Sequence, residues 1–452
     1  MNIIIVGCGK VGQTLAEQLI EEGNNITVID INANNLRNVT NQSDVMGIVG
    51  NGATFAVQKE AGIEHADLLI AVTDSDELNL LCCMVAKKTG NCETIARVRD
   101  PEYSNDADFL KNELGLAMVI NPEYAAASEI ARVLRFPAAI KIDTFAKGRV
   151  ELLKFKVPDN SPLVSLSVRE ITTVLGCDVL ICTVQRGDEV FIAKGNLTFE
   201  AKDVVTLIAT PKSAVAFFEK IKHKRHSVKD VIIAGGGKIS KYLCEMLEAK
   251  GGISVKVIEE DQYLCEALCT QEPNITVING DPVDRDLLMQ EGIENASAFV
   301  ALMDQDEENI LLSLFAKNVG KGKLVTKIAR TDFDEVIKPL DLDSVIIPKN
   351  ITSDMILQYA RSKTSSIGSN VETLYNIIKG KVEAAEFAVK EKSEITNKPL
   401  MELKFKENVL VASILRGKKV IIPRGQDMIL PGDNVIIVSK QLALHDITDI
   451  LK

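Results

Sequence analysis

Ile3-Ile4-Ile5-Val6-Gly7-Cys8-Gly9-Lys10-Val11-Gly12 is the stretch that decides the fold of this chain. Four branched apolar residues in a row are typical of a strand that is buried on both faces. The glycines at 7, 9 and 12 form a G-x-G-x-x-G pattern, which predicts a tight turn, close approach of the backbone to a phosphate, and close packing of a helix on the strand. The free amides at the start of that helix favour an anionic group.

An acidic residue follows at the spacing that suits a ribose. Asp30 closes the apolar run 26–29, about 20 residues after the last glycine of the pattern. A carboxylate there accepts hydrogen bonds from the ribose hydroxyls and repels a 2′-phosphate. The pattern therefore predicts NAD(H) or an adenine nucleotide, ATP or ADP, in preference to NADP(H). The alternative is a tight packing turn followed by a surface aspartate.

Apolar runs alternate with helical stretches over the first 135 residues or so. Such runs lie at 2–6, 26–29, 67–72 and 94–98, and amphipathic stretches such as 13–22 and 79–88 lie between them. This alternation predicts a parallel sheet that is flanked by helices.

The chain also repeats itself at an offset of about 230 residues. The matching pairs are Asp74-x-Asp76-Glu77-x-Asn79 with Asp304-x-Asp306-Glu307-x-Asn309, Gly62-Ile63-Glu64 with Gly292-Ile293-Glu294, Gly50-Asn51 with Gly280-Asp281, and Arg186 and Asp203 with Arg416 and Asp433. So many matches in one register indicate a duplication.

The second half of each copy has a different pattern. Short apolar runs at 150–157, 179–184, 189–193 and 204–209 surround turn residues, which predicts a small α+β domain. We therefore expect an α/β chain with two Rossmann-like, doubly wound parallel-sheet domains, each followed by a small α+β domain. The expected bounds are 1–137 and 138–221 for the first copy, and 228–366 and 369–452 for the second. Pro137 and the segments 220–229 and 363–370 are the expected linkers.

The second copy has an altered glycine pattern. Gly235-Gly236-Gly237-Lys238-Ile239-Ser240 keeps the first two glycines but places Ser240 at the third position, and the acid becomes Glu259 or Glu260. Serine is small, so we expect the fold to survive. Whether this copy binds a nucleotide stays open at the level of sequence.

Polar residues also follow the later strands of the first copy. Thr73 and Asp74 come after the strand at 67–72, and ligands bind open α/β sheets at this carboxyl edge. The acids from Asp74 onward suit a helix start better than a metal site. Arg97 and Arg99 alternate along one face and could hold phosphates, or else be solvated edge residues. The second copy has Arg330, with Asp332 at the place expected for the second arginine.

Composition narrows the class of protein. The net charge of −11 argues against nucleic acid as a partner. Nine scattered cysteines and four histidines form no zinc or disulfide pattern, so we expect no metal site and a reducing compartment. No window approaches the ~20 apolar residues of a membrane helix, and the N terminus lacks the features of a signal peptide. We expect no direct membrane insertion.

The motifs at 4–12, 66–74 and 96–103 together resemble the family of regulator of potassium conductance domains, also called KTN domains. The two-copy arrangement resembles the peripheral subunits of Trk potassium-uptake systems. The resemblance implies a cytoplasmic protein, peripheral on the inner face of the cell membrane, that binds NAD(H) or ATP/ADP and gates a membrane-embedded potassium translocator of the TrkH/TrkG type. It also implies a homo-oligomer, with a tetramer as our expectation.

The same resemblance assigns site residues. The first nucleotide site would comprise Gly7, Cys8, Gly9, Lys10, Val11, Gly12, Asp30, Thr73, Asp74, Arg97 and Arg99. The second would comprise Gly235, Gly236, Gly237, Lys238, Ile239 and Glu259. No catalytic residue is implied.

Two other functions compete with this one. An NAD-dependent oxidoreductase would need a proton donor, but His65, His223, His226 and His445 stand in no visible catalytic arrangement. A regulator of a different membrane transporter would have the same sequence features, because no motif marks the surface that faces the partner.

Overall fold

A computed structural model describes residues 1–104, 107–221, 227–330, 334–364, 369–378, 381–440, 444 and 446–452. Within these ranges the chain forms four sheets, two parallel and two antiparallel. Short 3-10 helices lie at Ile63–His65, Ala146–Gly148, Lys338–Leu340, Leu400–Glu402 and Ile447–Ile450.

The first copy opens with alternating strands and helices. They are β1 (Asn2–Val6), α1 (Lys10–Glu21), β2 (Asn25–Asp30), α2 (Ala33–Gln42), β3 (Met46–Val49), α3 (Phe55–Glu60), β4 (Leu68–Ala71), α4 (Asp76–Thr89), β5 (Glu93–Arg97), α5 (Pro101–Ser104), α6 (Ala107–Glu113), β6 (Met118–Ile120) and α7 (Pro122–Arg135). The six strands are parallel in the order β3-β2-β1-β4-β5-β6. This order has its topological switch point between β1 and β4, where doubly wound sheets bind ligands.

A five-stranded sheet completes the first half. Its elements are β7 (Lys141–Phe145), β8 (Val150–Lys156), α8 (Glu170–Val174), β9 (Leu180–Arg186), β10 (Glu189–Ile192), β11 (Val204–Ala209) and α9 (Pro211–Lys220). The strands are antiparallel in the order β10-β9-β11-β8-β7. The strand β7 was not among the four predicted from apolar runs.

The second half repeats both sheets. Its elements are β12 (Asp230–Ala234), α10 (Lys238–Lys250), β13 (Ser254–Glu259), α11 (Gln262–Gln271), β14 (Thr276–Asn279), α12 (Arg285–Gln290), β15 (Ala298–Ala301), α13 (Asp306–Val319), β16 (Lys323–Lys327), α14 (Asp334–Ile337), β17 (Ser344–Ile346), α15 (Pro348–Thr364), β18 (Ser369–Ile378), β19 (Val382–Val389), β20 (Val409–Arg416), β21 (Lys419–Ile421) and β22 (Asn434–Ser439). The sheet orders are β14-β13-β12-β15-β16-β17 and β18-β19-β22-β20-β21. The expected fold class and the duplication are both confirmed.

Matched side-chain contacts show how closely the copies correspond. Arg186 forms two hydrogen bonds to the buried carboxylate of Asp203, at 2.8 and 2.9 Å, and Arg416 forms the same pair with Asp433 at 2.9 and 2.8 Å. Paired bonds of this kind fix both side chains in orientation as well as distance. Each pair therefore holds the same corner of its small sheet.

The two parallel sheets exchange their last helices. The apolar face of α7, with Ile130 and Val133, lies in one core cluster with β12 and α10 of the second copy. Conversely, Ile356 and Leu357 of α15 lie in the core cluster of β1, β2 and α1. Each copy thus supplies a helix that completes the core of the other.

The small sheets also pack against each other. Residues of β8 and β9 share a core cluster with residues of β19 and β22. At its border the Tyr375 hydroxyl donates to the Thr144 carbonyl at 2.9 Å, and the rings of Phe145 and Tyr375 meet edge to face. The copies are therefore joined at two levels, through the parallel sheets and through the small sheets.

Among the described residues, no helix has both the length and the apolar character needed to cross a membrane. Of the expected linkers, Pro137 lies in the short turn between α7 and β7. Parts of the other two, at 222–226 and 365–368, lie outside the described residues.

Candidate functional site

The glycine turn after β1 has the geometry that its sequence predicts. Gly7 has φ +103°, and a Cβ there would meet the backbone of Val72 and Thr73 at 3.0 Å. A Cβ on Gly12 would lie 1.9 Å from the Gly7 carbonyl oxygen, so the helix can approach the turn only without a side chain. A Cβ on Gly9 would meet nothing within 4 Å. The space above Gly9 is open toward solvent, as a phosphate at a helix start requires.

The carboxylate of Asp30 is fixed beside this turn. One oxygen accepts from the Cys8 amide at 2.6 Å, and the other accepts from the Asn32 amide at 2.7 Å. Burial and the nearby Asp30 raise the pKa of the Cys8 thiol to about 12, so the thiol is protonated and weakly nucleophilic. Cys8 therefore contributes its amide to the site, and its side chain to the core.

A cavity of about 430 Å³ lies at the switch point of the first sheet. It is lined by Val6, Gly7, Gly9, residues 29–32, Asn35, residues 50–52, residues 72–75 and Leu78. The structure thus brings Gly7, Gly9, Asp30, Thr73 and Asp74 together around one opening. The volume is within the ~300–1,000 Å³ typical of small-molecule sites.

Several lining residues were missed by the sequence analysis. Ile31, Asn32 and Asn35 follow β2, and Asn51 and Gly52 follow β3, a strand that the apolar pattern did not predict. The repeated Gly50-Asn51 pair was the available signal, because a duplicated turn at a strand end marks the ligand-binding edge of such a sheet.

Arg97 and Arg99 lie behind the wall of the cavity and do not line it. Arg97, only 8% exposed, donates to the Thr73 carbonyl at 2.6 Å and to the Asp74 carboxylate at 3.2 Å. Arg99 donates to the Asp74 carbonyl. Burial and the neighbouring Arg99 lower the pKa of Arg97. Both guanidinium groups therefore hold the turn at 73–76 in place from the far side.

Asp76 does not cap its own helix, contrary to the prediction for the acids at this helix start, because Ser75 is the N-cap of α4 and its hydroxyl accepts from the Leu78 amide at 3.1 Å. One carboxylate oxygen of Asp76 accepts from the amides of Arg99 and Asp100, both at 2.8 Å. The described residues contain no group of three or more His, Cys, Asp or Glu side chains that could hold a metal ion. His65 lies on the 3-10 helix before β4, whereas His223, His226 and His445 lie outside the described residues.

The remaining predicted residues of the first site point elsewhere. Lys10 lines a separate cavity of about 400 Å³ together with Asp304, Glu307 and Arg330 of the second copy. Val11 is half-buried and packs against the core of the first sheet. Both lie at the start of α1, but neither lines the cavity at the switch point.

The second glycine turn keeps the backbone of the first. Gly235 has φ +101°, and the Ser240 hydroxyl donates to its carbonyl at 2.5 Å. Glu259 is the residue that corresponds to Asp30, because its two carboxylate oxygens accept from the amides of Gly236 and Asp261 at 2.5 and 2.9 Å. Gly237 stands at the N-cap of α10, and Ile239 is buried in the first turn.

The predicted alignment of the arginines is wrong for the second copy. Lys327 takes the place of Arg97, since it donates to the Leu302 carbonyl and to Asp304. The amides of Ala329 and Arg330 both bind the Asp306 carboxylate at 2.8 Å, so they correspond to Arg99 and Asp100. Asp332 lies outside the described residues. The second copy therefore has no arginine behind its turn at these two positions.

The start of α10 contacts the first copy. The Lys238 ammonium group lies 3.1 Å from the Asp100 carboxylate, and the Tyr242 hydroxyl donates to the Arg99 carbonyl at 3.3 Å. Asn121 in turn donates to that hydroxyl at 2.8 Å. The start of α10 is thereby joined to the segment after β5, whose Arg99 in turn holds the turn that borders the first cavity.

A solved regulator of potassium conductance (RCK) domain has the same fold as this chain, which gives the class of fold. A solved structure described as "Crystal Structure of the GsuK RCK domain" superimposes with a TM-score of 0.63 at 16% identity, covering 98% of this chain and 93% of that one. A second, "GsuK channel bound to NAD", gives 0.64 at 16% identity, with 98% and 77% covered. At this identity the likeness shows the fold alone.

Two sequence comparisons identify the family within that class. The TrkA-N domain model matches residues 3–122 and 231–348, and the TrkA-C domain model matches residues 152–222 and 384–452. The "Trk system potassium uptake protein TrkA homolog 1" of Methanosarcina mazei is 31% identical over 463 aligned positions, covering 100% of both chains. The chain belongs to the TrkA family of Trk system potassium uptake proteins.

Proposed function

We propose that this chain is a regulatory subunit of a potassium-uptake system and senses NAD(H) or ATP/ADP in the cavity at the switch point of its first sheet. The observation that carries the proposal is the convergence of the Asp30 carboxylate and the open Gly9 backbone on that single cavity. The solved channel structure described as bound to NAD has the same fold, which supports this choice of ligand class.

The lining residues fit the parts of an adenine nucleotide. The start of α1 has no side-chain cap and no acidic residue in its first turn, so its amides and dipole suit a phosphate. Asp30 suits the ribose hydroxyls and disfavours a 2′-phosphate. Ile31 is 75% exposed beside it and offers an apolar surface for a flat base.

Contacts behind the cavity give the ligand a way to act. Arg97 and Arg99 donate hydrogen bonds to the carbonyls of Thr73 and Asp74. A nucleotide that contacts the turn at 73–76 would therefore also affect the positions of these two arginines. The next residue, Asp100, is paired with Lys238 of the second copy. Ligands that differ in phosphate charge would favour different positions of this turn, and a ligand shifts an equilibrium only through such a difference in affinity. A rigid-body movement of one copy relative to the other would then transmit the new position of the turn to the rest of the chain.

Membership of the family supports a proposal about the partner and the place of action. We propose that the chain works in the cytoplasm, peripheral on the inner face of the cell membrane, and gates a potassium translocator of the TrkH/TrkG type as a tetramer. We further propose that it catalyses no reaction. The relative from Methanosarcina mazei, whose name states potassium uptake, covers the whole chain and so supports the potassium partner.

Calorimetric titration with ATP, ADP, NAD⁺ and NADH tests the ligand assignment. Asp30→Ala is expected to weaken binding of each bound nucleotide at least tenfold, because loss of a charged hydrogen-bonding group costs about 1.5–3 kcal/mol. Asp67→Ala is the matched control: its carboxylate accepts from the Asn2 amide at 2.7 Å, at the opposite edge of the same sheet. Unchanged affinities in Asp30→Ala would show that the site is elsewhere.

Two further measurements test the role. Potassium flux through the translocator, reconstituted with this chain, should change when a bound nucleotide is exchanged for another. Flux that ignores the chain and its ligands contradicts the regulatory role. Sustained oxidation of NADH with small acids, aldehydes or ketones would instead establish an oxidoreductase.

A further inference from the structure

The two copies can be compared position by position around the switch points of their parallel sheets. We call the switch point between β1 and β4, which holds the cavity described above, the first crevice, and the one between β12 and β15 the second crevice. The carbonyl of Asp30 accepts from the Gly50 amide at 3.0 Å, and that of Glu259 accepts from the Gly280 amide at 2.9 Å. The side chain of Asn51 accepts from the amide two residues on, as does that of Asp281, at 3.0 and 2.8 Å. These matched contacts give an unambiguous correspondence for the loops after the second and third strands of each sheet.

The correspondence exposes a change of charge. Ile31, Asn32 and Asn51 line the first cavity, and Glu260, Asp261 and Asp281 stand at the same places in the second copy. All three acids are exposed. At these three positions the second crevice therefore carries negative charges where the first carries none, while the deeper acid is kept in both copies.

The glycine loop of the second copy also differs. Glu259 is one methylene longer than Asp30 and only 9% exposed, and a Cβ on Gly236 would lie 3.0 Å from its Cγ and 3.1 Å from Leu268. Cys8 carries a side chain at the corresponding position of the first copy. The longer acid therefore fills space that a cysteine side chain fills in the first copy, and it brings its charge against the loop amide.

Nearby cations are engaged by other acids. Lys238 pairs with Asp100 at 3.1 Å, Lys327 lies 3.4 Å from Asp304, and Arg330 lies 3.5 Å from Glu307. Lys10 lines the neighbouring cavity with Asp304 and Glu307. These four positive groups therefore lie against carboxylates outside the rim, and they leave the negative charge of Glu260, Asp261 and Asp281 in place.

We propose that the second crevice excludes nucleotide phosphates, so that each chain binds one molecule of NAD(H), ATP or ADP, in its first crevice alone. Glu260, Asp261 and Asp281 are the residues that set this selectivity. The inference rests on the proposed function of the first crevice and adds a specificity rule to it. Three negative charges on the rim should weaken binding of a nucleotide that itself carries two or more negative charges by about 100-fold at moderate salt.

The test counts bound nucleotide. Equilibrium dialysis with labelled ADP, with magnesium and separately with a chelator, should give one ADP per wild-type chain. The triple variant Glu260→Ile, Asp261→Asn, Asp281→Asn gives each position the residue of the first copy, and it should bind a second ADP. The reciprocal variant Ile31→Glu, Asn32→Asp, Asn51→Asp should lose about 100-fold in affinity at the first crevice, with less loss at higher salt. Its thermal unfolding serves as the folding control.

The outcomes separate the two claims. Two ADP molecules per wild-type chain, with or without magnesium, would overturn the exclusion. One ADP per chain in both the wild type and the first triple variant would overturn the assignment of the three acids. No ADP, ATP or NAD(H) bound to a folded wild-type chain would overturn the proposed function itself.

Discussion

Because the last helices are exchanged, we predict that a mutation in one copy destabilises the hydrophobic core of the other. Ile130 belongs to the first copy but is fully buried in the core cluster of the second, and Ile356 has the reverse placement. Truncation of a fully buried isoleucine to alanine costs about 2–5 kcal/mol. With 1.4 kcal/mol per factor of ten, a mid-range loss of about 3 kcal/mol should raise local opening in the affected core roughly 100-fold.

Hydrogen exchange followed by mass spectrometry reads this opening segment by segment. Ile130→Ala should accelerate exchange in β12 and α10, which lie about 100 residues further along the chain, more than in β1 and β2. Ile356→Ala should do the opposite. Val174→Ala, at a side chain that is 61% exposed, is the control and should change neither. Faster exchange confined to the copy that carries the mutation would refute the exchanged arrangement.

Two further predictions concern the glycine turn and a buried acid. Gly12→Ala should lower the melting temperature and abolish nucleotide binding, since its Cβ would lie 1.9 Å from the Gly7 carbonyl oxygen; Gly9→Ala, with open space around the Cβ, should keep the melting temperature and weaken nucleotide binding alone. Equal loss of stability in both would contradict this division. Burial and the adjacent Glu248 raise the pKa of Glu272 from 4.5 to about 7. Glu272 therefore binds a proton more tightly in the folded chain than in the unfolded chain. Its protonated carboxyl contributes its full stabilisation below about pH 4.5, and this stabilisation is lost as the pH rises toward 7. Glu272→Gln should thus be stabilising relative to wild type at pH 8 and near neutral at pH 4.5 in thermal unfolding, and the same difference at both pH values would contradict the shift.

Most of the fold could be predicted because its central strands are continuous apolar runs. The strands β1, β2, β4 and β5 match the predicted runs to within a residue or two. The edge strand β3 was missed because Gly47 interrupts its short apolar run, and a strand at the edge of the sheet buries little: only Ile48 of its four residues is buried. The exchange of α7 and α15 was also missed. An amphipathic pattern shows that one helix face is buried, but it does not show which sheet covers that face.

The candidate site was predictable where backbone geometry dictates residue type. Gly7 and Gly12 have no room for a side chain, and Asp30 stands at a fixed distance along the chain, so all three could be read from spacing. The roles of Arg97 and Arg99 depend on which side of a turn the side chains reach. Alternation along a strand gives only the shared face, and therefore left open whether they meet the ligand or support the turn. The assignment of residues to a nucleotide site stays a prediction.

Because each parallel sheet packs against a helix from the other copy, we expect either half, made alone, to lack part of its hydrophobic core. When only the first 221 residues have been synthesised, the helix α15, which packs on the first parallel sheet, does not yet exist. We therefore expect the amino-terminal half to complete its core only after residues 348–364 have been made. The second copy therefore has a structural role that does not depend on binding a ligand, because its helix α15 packs in the core of the first parallel sheet.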